Sequence, residues 1–264
     1  MKQRIITGVI AAALFLPIVI FGGVPFIIVT YILATVGLFE LLRMKGMSPL
    51  SFAGVAGFAA LWLLLVPVRY GGEWLASGAA KAGVLAALAF LLLVGTVLTK
   101  NALTFDEAAF IVLAVLYVGV GFFCFAAIRF AGLPYLIYAL FVIWSTDIGA
   151  YFFGRAFGRR KLWPEISPKK TIEGAIGGTG SAVVVAAVYE WAAGPFGSLG
   201  AAVGIALLLS MFGQLGDLVE SAFKRHYGVK DSGAILPGHG GILDRFDSLL
   251  FVLPLLYIFI EAAR

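Results

Sequence analysis

The chain has 264 residues, 62% of them hydrophobic and only 12% charged, with a mean hydropathy of +1.05. These values exclude an ordinary soluble domain, in which about a quarter of residues carry charge, and mark an integral membrane protein best counted in spanning helices of about 20 residues. The net charge of +5 has no soluble basic domain to sit on, which argues against nucleic acid as a partner and points to anionic headgroups and phosphates, while the single cysteine, Cys124, rules out an internal disulfide or a cysteine metal site.

Taken in chain order, Lys2 and Arg4 precede an apolar run that imitates a signal peptide. The run has no A-x-A-like cleavage site, carries Pro17, and is long enough to span, so it is predicted as a first helix. Apolar segments then cover about 5–21, 24–42, 50–68, 80–98, 107–128, 133–153, 172–192, 199–223 and 242–262. Turn formers or charges break them at Gly22-Gly23, Lys45-Gly46, Gly71-Gly72, Lys100-Asn101, Gly132 with Pro134, Arg155 to Lys170, Gly194-Pro195, and Arg225 to Gly241. The expectation is an all-α polytopic membrane protein of about nine transmembrane helices.

The distribution of Lys and Arg, which accumulate on the cytoplasmic side, sets the orientation. With a cytoplasmic amino terminus, fourteen cations fall inside: Lys2, Arg4, Arg43, Lys45, Lys100, Arg155, Arg159, Arg160, Lys161, Lys169, Lys170, Lys224, Arg225 and Lys230. Only Arg69, Lys81, Arg129 and Arg264 fall outside, and Arg245 lies within the last span. Both large polar loops then face the cytoplasm, where nucleotides are found.

Residues 1–130 hold few polar groups and are expected to form a scaffold, available for lipid or dimer contacts, with small pairs such as Gly54 and Gly57 allowing close helix approach. Glu40 is the exception. It lies at a helix end beside Arg43, and an i, i+3 solvated salt bridge is the expected role.

Residues 131–264 are expected to be the catalytic region, with two cytoplasmic loops. Asp147, within Ser145-Thr146-Asp147 on the sixth span, could be a ligand, a lysine partner or a satisfied polar group. Lys169 and Lys170 read equally as ordinary positive-inside charges. The stretch Gly174 to Ser181 fits small-residue helix packing better than a second nucleotide loop.

The densest polar stretch runs from 217 to 247. It holds five of the fourteen acidic residues, Asp217, Glu220, Asp231, Asp244 and Asp247, in segments apolar enough to lie in lipid, where ionisable groups usually mark a functional site. Gln214, Asp217, Ser221 and Lys224 share one helical stripe by their spacing. Asp244 and Asp247 are i, i+3 neighbours at a helix start. Two such carboxylates repel, and Mg²⁺, which takes hard oxygen ligands and fills its shell with water and substrate phosphates, would relieve them; the plain alternative is a capping carboxylate and an Asp247 to Arg245 bridge. Between the two helices, the glycines of residues 225–241 suit an anion cradle, with a following helix start to supply N–H groups. His239 fits a proton carrier, a phosphate donor or a loop residue.

Ser221, Phe223, Lys224, Arg225, Lys230, Asp231, Leu236, Pro237, His239, Gly240, Gly241, Asp244, Arg245 and Asp247, at this spacing, resemble the signature of the phosphatidate cytidylyltransferases, also called CDP-diacylglycerol synthases. Trp144-Ser145-Thr146-Asp147 with Ala150, Tyr151 and Gly154, and Ser167-Pro168-Lys169-Lys170-Thr171 with Glu173-Gly174, are similar to the same family. Residues 1–130 match it only in hydropathy.

The resemblance implies that CTP and phosphatidate react to give CDP-diacylglycerol and pyrophosphate at the cytoplasmic face of the plasma membrane. It implies Mg²⁺, with room for a second metal or a monovalent cation, held by Asp217, Asp244, Asp247 and Asp147. Asp217, Asp244, Lys224 and Arg245 are the implied catalytic residues. Lys169, Lys170, Glu173, Ser221, Lys224, Arg225, Lys230, Asp231, His239, Gly240 and Gly241 are implied to bind substrate. Homodimers are common in that family. Two other functions fit less well: another CTP-dependent lipid enzyme, such as a polyprenol kinase or a synthase acting on a different lipid phosphate, and an ion-coupled transporter. The transporter would predict repeat symmetry and charges near the bilayer midplane.

Overall fold

The computed structural model describes residues 2–67 and 77–263. Arg69, the Gly71-Gly72 break, the end of the third apolar segment and Arg264 lie outside the described residues, as do the side chains of Lys2 and Arg4. Among the described residues the helices are α1 (Lys2–Phe21), α2 (Gly23–Lys45), α3 (Phe52–Leu64), α4 (Gly78–Leu98), α5 (Phe105–Ala131), α6 (Leu133–Phe157), α7 (Ile172–Ala193), α8 (Leu199–His226) and α9 (Leu243–Ala262). One of them overlaps each predicted apolar segment. Six, α2 and α4 to α8, are long and apolar enough to cross a membrane, and the protein is an all-α polytopic membrane protein.

Helix limits follow local chemistry. Ser51, Ser77, Thr171 and Ser198 each accept a backbone N–H three residues on, from Gly54, Ala80, Gly174 and Ala201, which satisfies one orphan donor at each helix start. Thr104 and Glu107 exchange bonds as a capping box before α5. α2 and α7 stop at Gly46 and Gly194, whose φ values of 77° and 56° suit glycine.

Two elements differ from expectation. α3 has 13 residues, about 20 Å at 1.5 Å per residue, because Val66 precedes Pro67 and the helical region is disfavoured there. Its last carbonyls are met from α4, where Lys81 Nζ accepts none but donates to Leu64 O at 2.7 Å and Val66 O at 3.2 Å. The second difference is an antiparallel hairpin, β1 (Lys161–Trp163) and β2 (Ser167–Thr171), in what the sequence shows only as a basic loop.

The chain divides into two compact units, Met1–Ala127 with Asp231–Asp244, and Ile128–Lys230 with Arg245–Arg264. The first packs α1 to α4 and most of α5 with the polar loop. Gly57 lets α3 approach α5, since a Cβ there would lie 3.1 Å from Ile111. In the second, α6 and α7 form the closest helix pair. A Cβ at Gly178 would fall 2.6 Å from Thr146 O, and one at Gly174 2.8 Å from Ala150 O. The stretch 174–181 is therefore helix-packing surface, as the small residues suggest.

Candidate active site

A cavity of about 410 Å³ opens in the second unit. Its walls are Asp147, Ala150, Tyr151, Gly154 and Arg155 from α6, Leu162 and Lys169 to Thr171 from the hairpin, Gly174 and Ala175 from α7, and Gln214 and Asp217 from α8. The local sequence explains why these meet. Thr171 is both the last residue of β2 and the N-cap of α7, so the Lys169-Lys170 pair is delivered directly at a helix start.

Lys170 Nζ lies 2.6 Å from Asp217 Oδ2. One turn later Ser221 Oγ donates to Asp217 Oδ1 at 3.3 Å, as the predicted α8 stripe requires. The carboxylates of Asp147, Asp217 and Asp247 are close enough to repel one another; Lys170 and Arg245 offset the charge at Asp147, and Lys224 that at Asp247. Three hard oxygen donors in a half-buried setting are the kind of set that a small divalent cation suits. Among the described residues no three acidic, histidine or cysteine side chains yet converge closely enough to enclose an ion.

Other predicted residues serve the scaffold of the site. Lys224 pairs with the fully buried Glu220 one turn before it. Arg225 donates from Nε to Ile166 O at 3.3 Å and from a terminal nitrogen to Val229 O at 3.4 Å, which ties the end of α8 to the hairpin turn. Glu173 Oε2 accepts from the backbone N–H of Arg159 at 3.0 Å and Arg160 at 3.2 Å. It thereby holds the approach to β1. Lys169, Lys230, Asp231 and Arg245 are exposed.

The loop of the first unit is organised by two carboxylates. Asp244 Oδ2 accepts from Ser232 N at 2.8 Å, Ser232 Oγ at 3.0 Å and Gly241 N at 2.8 Å. Glu40 accepts from Ser232 Oγ at 2.8 Å and from Ile242 N and Leu243 N at 2.9 Å each. His239 N donates to Leu236 O at 2.8 Å, and Leu236 N to Gly240 O at 3.0 Å, closing a tight turn. Gly238 and Gly240 adopt φ of 77° and 82° there, the positive φ anticipated for loop glycines.

Two expectations are corrected here. The helix-start N–H groups expected to serve an anion cradle are taken by the protein itself: Gly241 N–H by Asp244, and Ile242 and Leu243 N–H by Glu40. Glu40 is not a solvated partner of Arg43. It is only 2% exposed, and Arg43 lies instead over the Phe39 ring at 5.8 Å. A buried carboxylate is tolerated because backbone and hydroxyl donors replace its water.

Sequence reasoning put Gln214 on the α8 stripe and Tyr151 in a family-like stretch without giving either a role, and it did not assign Arg155 to the site. Gln214 is one turn before Asp217, as the predicted stripe has it. Its Nε2 donates to Thr179 Oγ1 at 3.1 Å and Ala175 O at 3.4 Å. A carbonyl can only accept, so the amide orientation is fixed. Beneath it Ser210 Oγ donates to Thr179 Oγ1 at 3.1 Å and lies 2.9 Å from Thr146 Oγ1, a buried hydroxyl chain below the cavity.

The profile of the cytidylyltransferase family matches residues 2–263. The chain is 54% identical to the phosphatidate cytidylyltransferase of Bacillus subtilis (strain 168) over 97% of its own length and 96% of the relative's. It is 49% identical to that of Staphylococcus haemolyticus (strain JCSC1435) and 48% to that of Staphylococcus aureus (strain COL), over 98% of each chain. With the match running from one end to the other, this chain belongs to the cytidylyltransferase family.

Proposed function

We propose that the chain is a phosphatidate cytidylyltransferase, which transfers the cytidylyl group of CTP to phosphatidate and releases pyrophosphate. The observation that carries this reading is the cavity in which Lys169, Lys170 and Arg155 face Asp147 and Asp217, in a family member whose full-length relatives bear that name.

The chemistry asks for little base catalysis, since the attacking lipid phosphate oxygen is already anionic. A bond forms from that oxygen to the α-phosphorus of CTP, and the bond from the α-phosphorus to the bridging oxygen breaks. The difficulty is holding two anions together, a matter of positioning and charge neutralisation. Lys169, Lys170 and Arg155 hold the triphosphate. Lys224, Arg225, Lys230 and Arg245 add positive charge, Ser221 steadies Asp217, and Glu173 keeps the hairpin in place. Asp231 and His239 orient the loop, and Asp244 acts through the loop's shape.

Asp147, Asp217 and Asp247 would hold Mg²⁺, whose mutual repulsion it relieves. When bound, the ion supplies charge for the phosphate oxygens and the departing pyrophosphate. The excess of Lys and Arg in alternate polar segments supports a cytoplasmic amino terminus and site in the plasma membrane. Phosphatidate then keeps its acyl chains in the bilayer while its headgroup meets CTP. The deciding assay is pyrophosphate release by purified protein. Release with both substrates and none when either CTP or phosphatidate is omitted is expected; hydrolysis of CTP without lipid would overturn the reading.

A further inference from the structure

We infer that Glu40, in the half of the chain that the sequence reads as scaffold, is a positioning residue for catalysis: an internal anion that sets the start of α9. The inference rests on the cytidylyl-transfer reading above. A helix start with a glycine loop before it is an anion-binding arrangement, and here the protein supplies the anion itself. Glu40 Oε1 accepts from Ile242 N, and Oε2 from Leu243 N and Ser232 Oγ, at 2.8 to 2.9 Å. The carboxylate comes from α2, some 200 positions away along the chain. It is the sole acceptor at those two N–H groups among the hydrogen bonds of the described residues.

The loop is shaped to admit it. A Cβ at Gly233 would fall 2.5 Å from Glu40 Oε1, and one at Gly241 2.5 Å from Glu40 Cδ. These glycines are small because the carboxylate passes beside them. Gly37, three residues earlier on α2, leaves room for Leu243 in the same way, with 3.2 Å to its Cδ2. Ser232 bonds both carboxylates, so Glu40 and Asp244 share one hydroxyl. Along α9 the next positions are Arg245 and Asp247, whose charges act on Asp147 and Asp217. A rotation or slip of the first turn of α9 would therefore move two charges that act on the cavity carboxylates. Misplacement by about 1 Å can cost 100-fold in rate.

The test is Glu40→Gln in the purified full-length protein, beside Glu40→Asp and wild type. Glutamine keeps the volume but turns one acceptor into a donor that faces an N–H. The expected result is a cooperative melt within a few degrees of wild type, with kcat lower by about 100-fold. KM for CTP should change less than threefold, and Glu40→Asp should recover part of the rate. Hydrogen exchange at Ile242 and Leu243 should quicken in Glu40→Gln while exchange in α2 and α6 stays slow. Full kcat in a folded Glu40→Gln protein would overturn the proposal, as would a loss of rate that only tracks the fraction folded. Gly241→Ala, which crowds the carboxylate without removing it, gives a second variant; it should show the same fall in kcat, and wild-type kcat in it would count equally against the idea. If wild type itself fails to release pyrophosphate from CTP and phosphatidate, the functional reading fails. The exchange measurement still reports then whether Glu40 holds α9.

Discussion

Lys170 Nζ and Asp217 Oδ2 are paired at 2.6 Å in the cavity wall, one from the strand that feeds α7 and the other from the middle of α8's polar stripe. The two side chains are 27% and 31% exposed, so the pair is neither a solvated surface bridge nor a sealed one. A pair at a cavity wall can exchange partners when a charged substrate arrives.

Removing the lysine should therefore hurt the reaction far more than the fold. Lys170→Met is expected to lower kcat/KM for CTP by about 100-fold, the size of losing one preorganised electrostatic contact. Its melting temperature should stay near that of wild type. Steady-state kinetics with thermal unfolding in the same detergent would check this, and unchanged kcat/KM would count against the placement of the triphosphate.

The proposed Mg²⁺ set of Asp147, Asp217 and Asp247 predicts that turnover depends on a divalent cation. EDTA should abolish pyrophosphate release, and Mg²⁺ should restore it. Asp247→Asn should raise the Mg²⁺ needed for half-maximal rate by about tenfold or more. A titration of rate against free Mg²⁺ reads both effects, and an Asp247→Asn curve lying on the wild-type curve would remove Asp247 from the metal set.

Gly178 offers a stability test independent of chemistry. Its Cβ position lies 2.6 Å from Thr146 O, so Gly178→Leu must separate α6 from α7. The expected cost is about 1–3 kcal/mol, typical of overpacking, and is read as a lower unfolding midpoint in detergent. A midpoint equal to wild type would mean that the two helices pack less closely than described.

Glu173 should act on binding rather than stability. Glu173→Ala removes the acceptor for the N–H groups of Arg159 and Arg160, loosening the start of the hairpin that presents Lys169 and Lys170. KM for CTP should rise about threefold with little change in melting temperature. A change in kcat alone would assign Glu173 a different role.

Much of this was legible in the sequence because hydropathy reports spans and spacing reports helix faces. Asp217, Ser221 and Lys224 fall on one stripe, and that stripe exists. The hairpin at 161–171 was not legible, since a basic loop with Pro164 and Pro168 lacks the alternation of a half-buried strand pair. Glu40 was misread for a different reason. Its i, i+3 neighbour Arg43 is a local signal, whereas its true partners are near residue 242, and a contact of that sequence separation leaves no trace in a local pattern. Asp244 shows the same limit: its spacing from Asp247 gives no sign that its Oδ2 serves Ser232 and Gly241.

The glycine and alanine contacts between α6 and α7 extend into the cavity, where Ala150, Gly154, Gly174 and Ala175 form part of the wall. A wall made largely of main chain has no rotamers to adjust. The inner dimension of the pocket there is the distance between two helices, and it can change only if a helix moves. Wider or narrower substrates must be accommodated by Tyr151, Arg155 and Lys169, the lining residues whose side chains can swing.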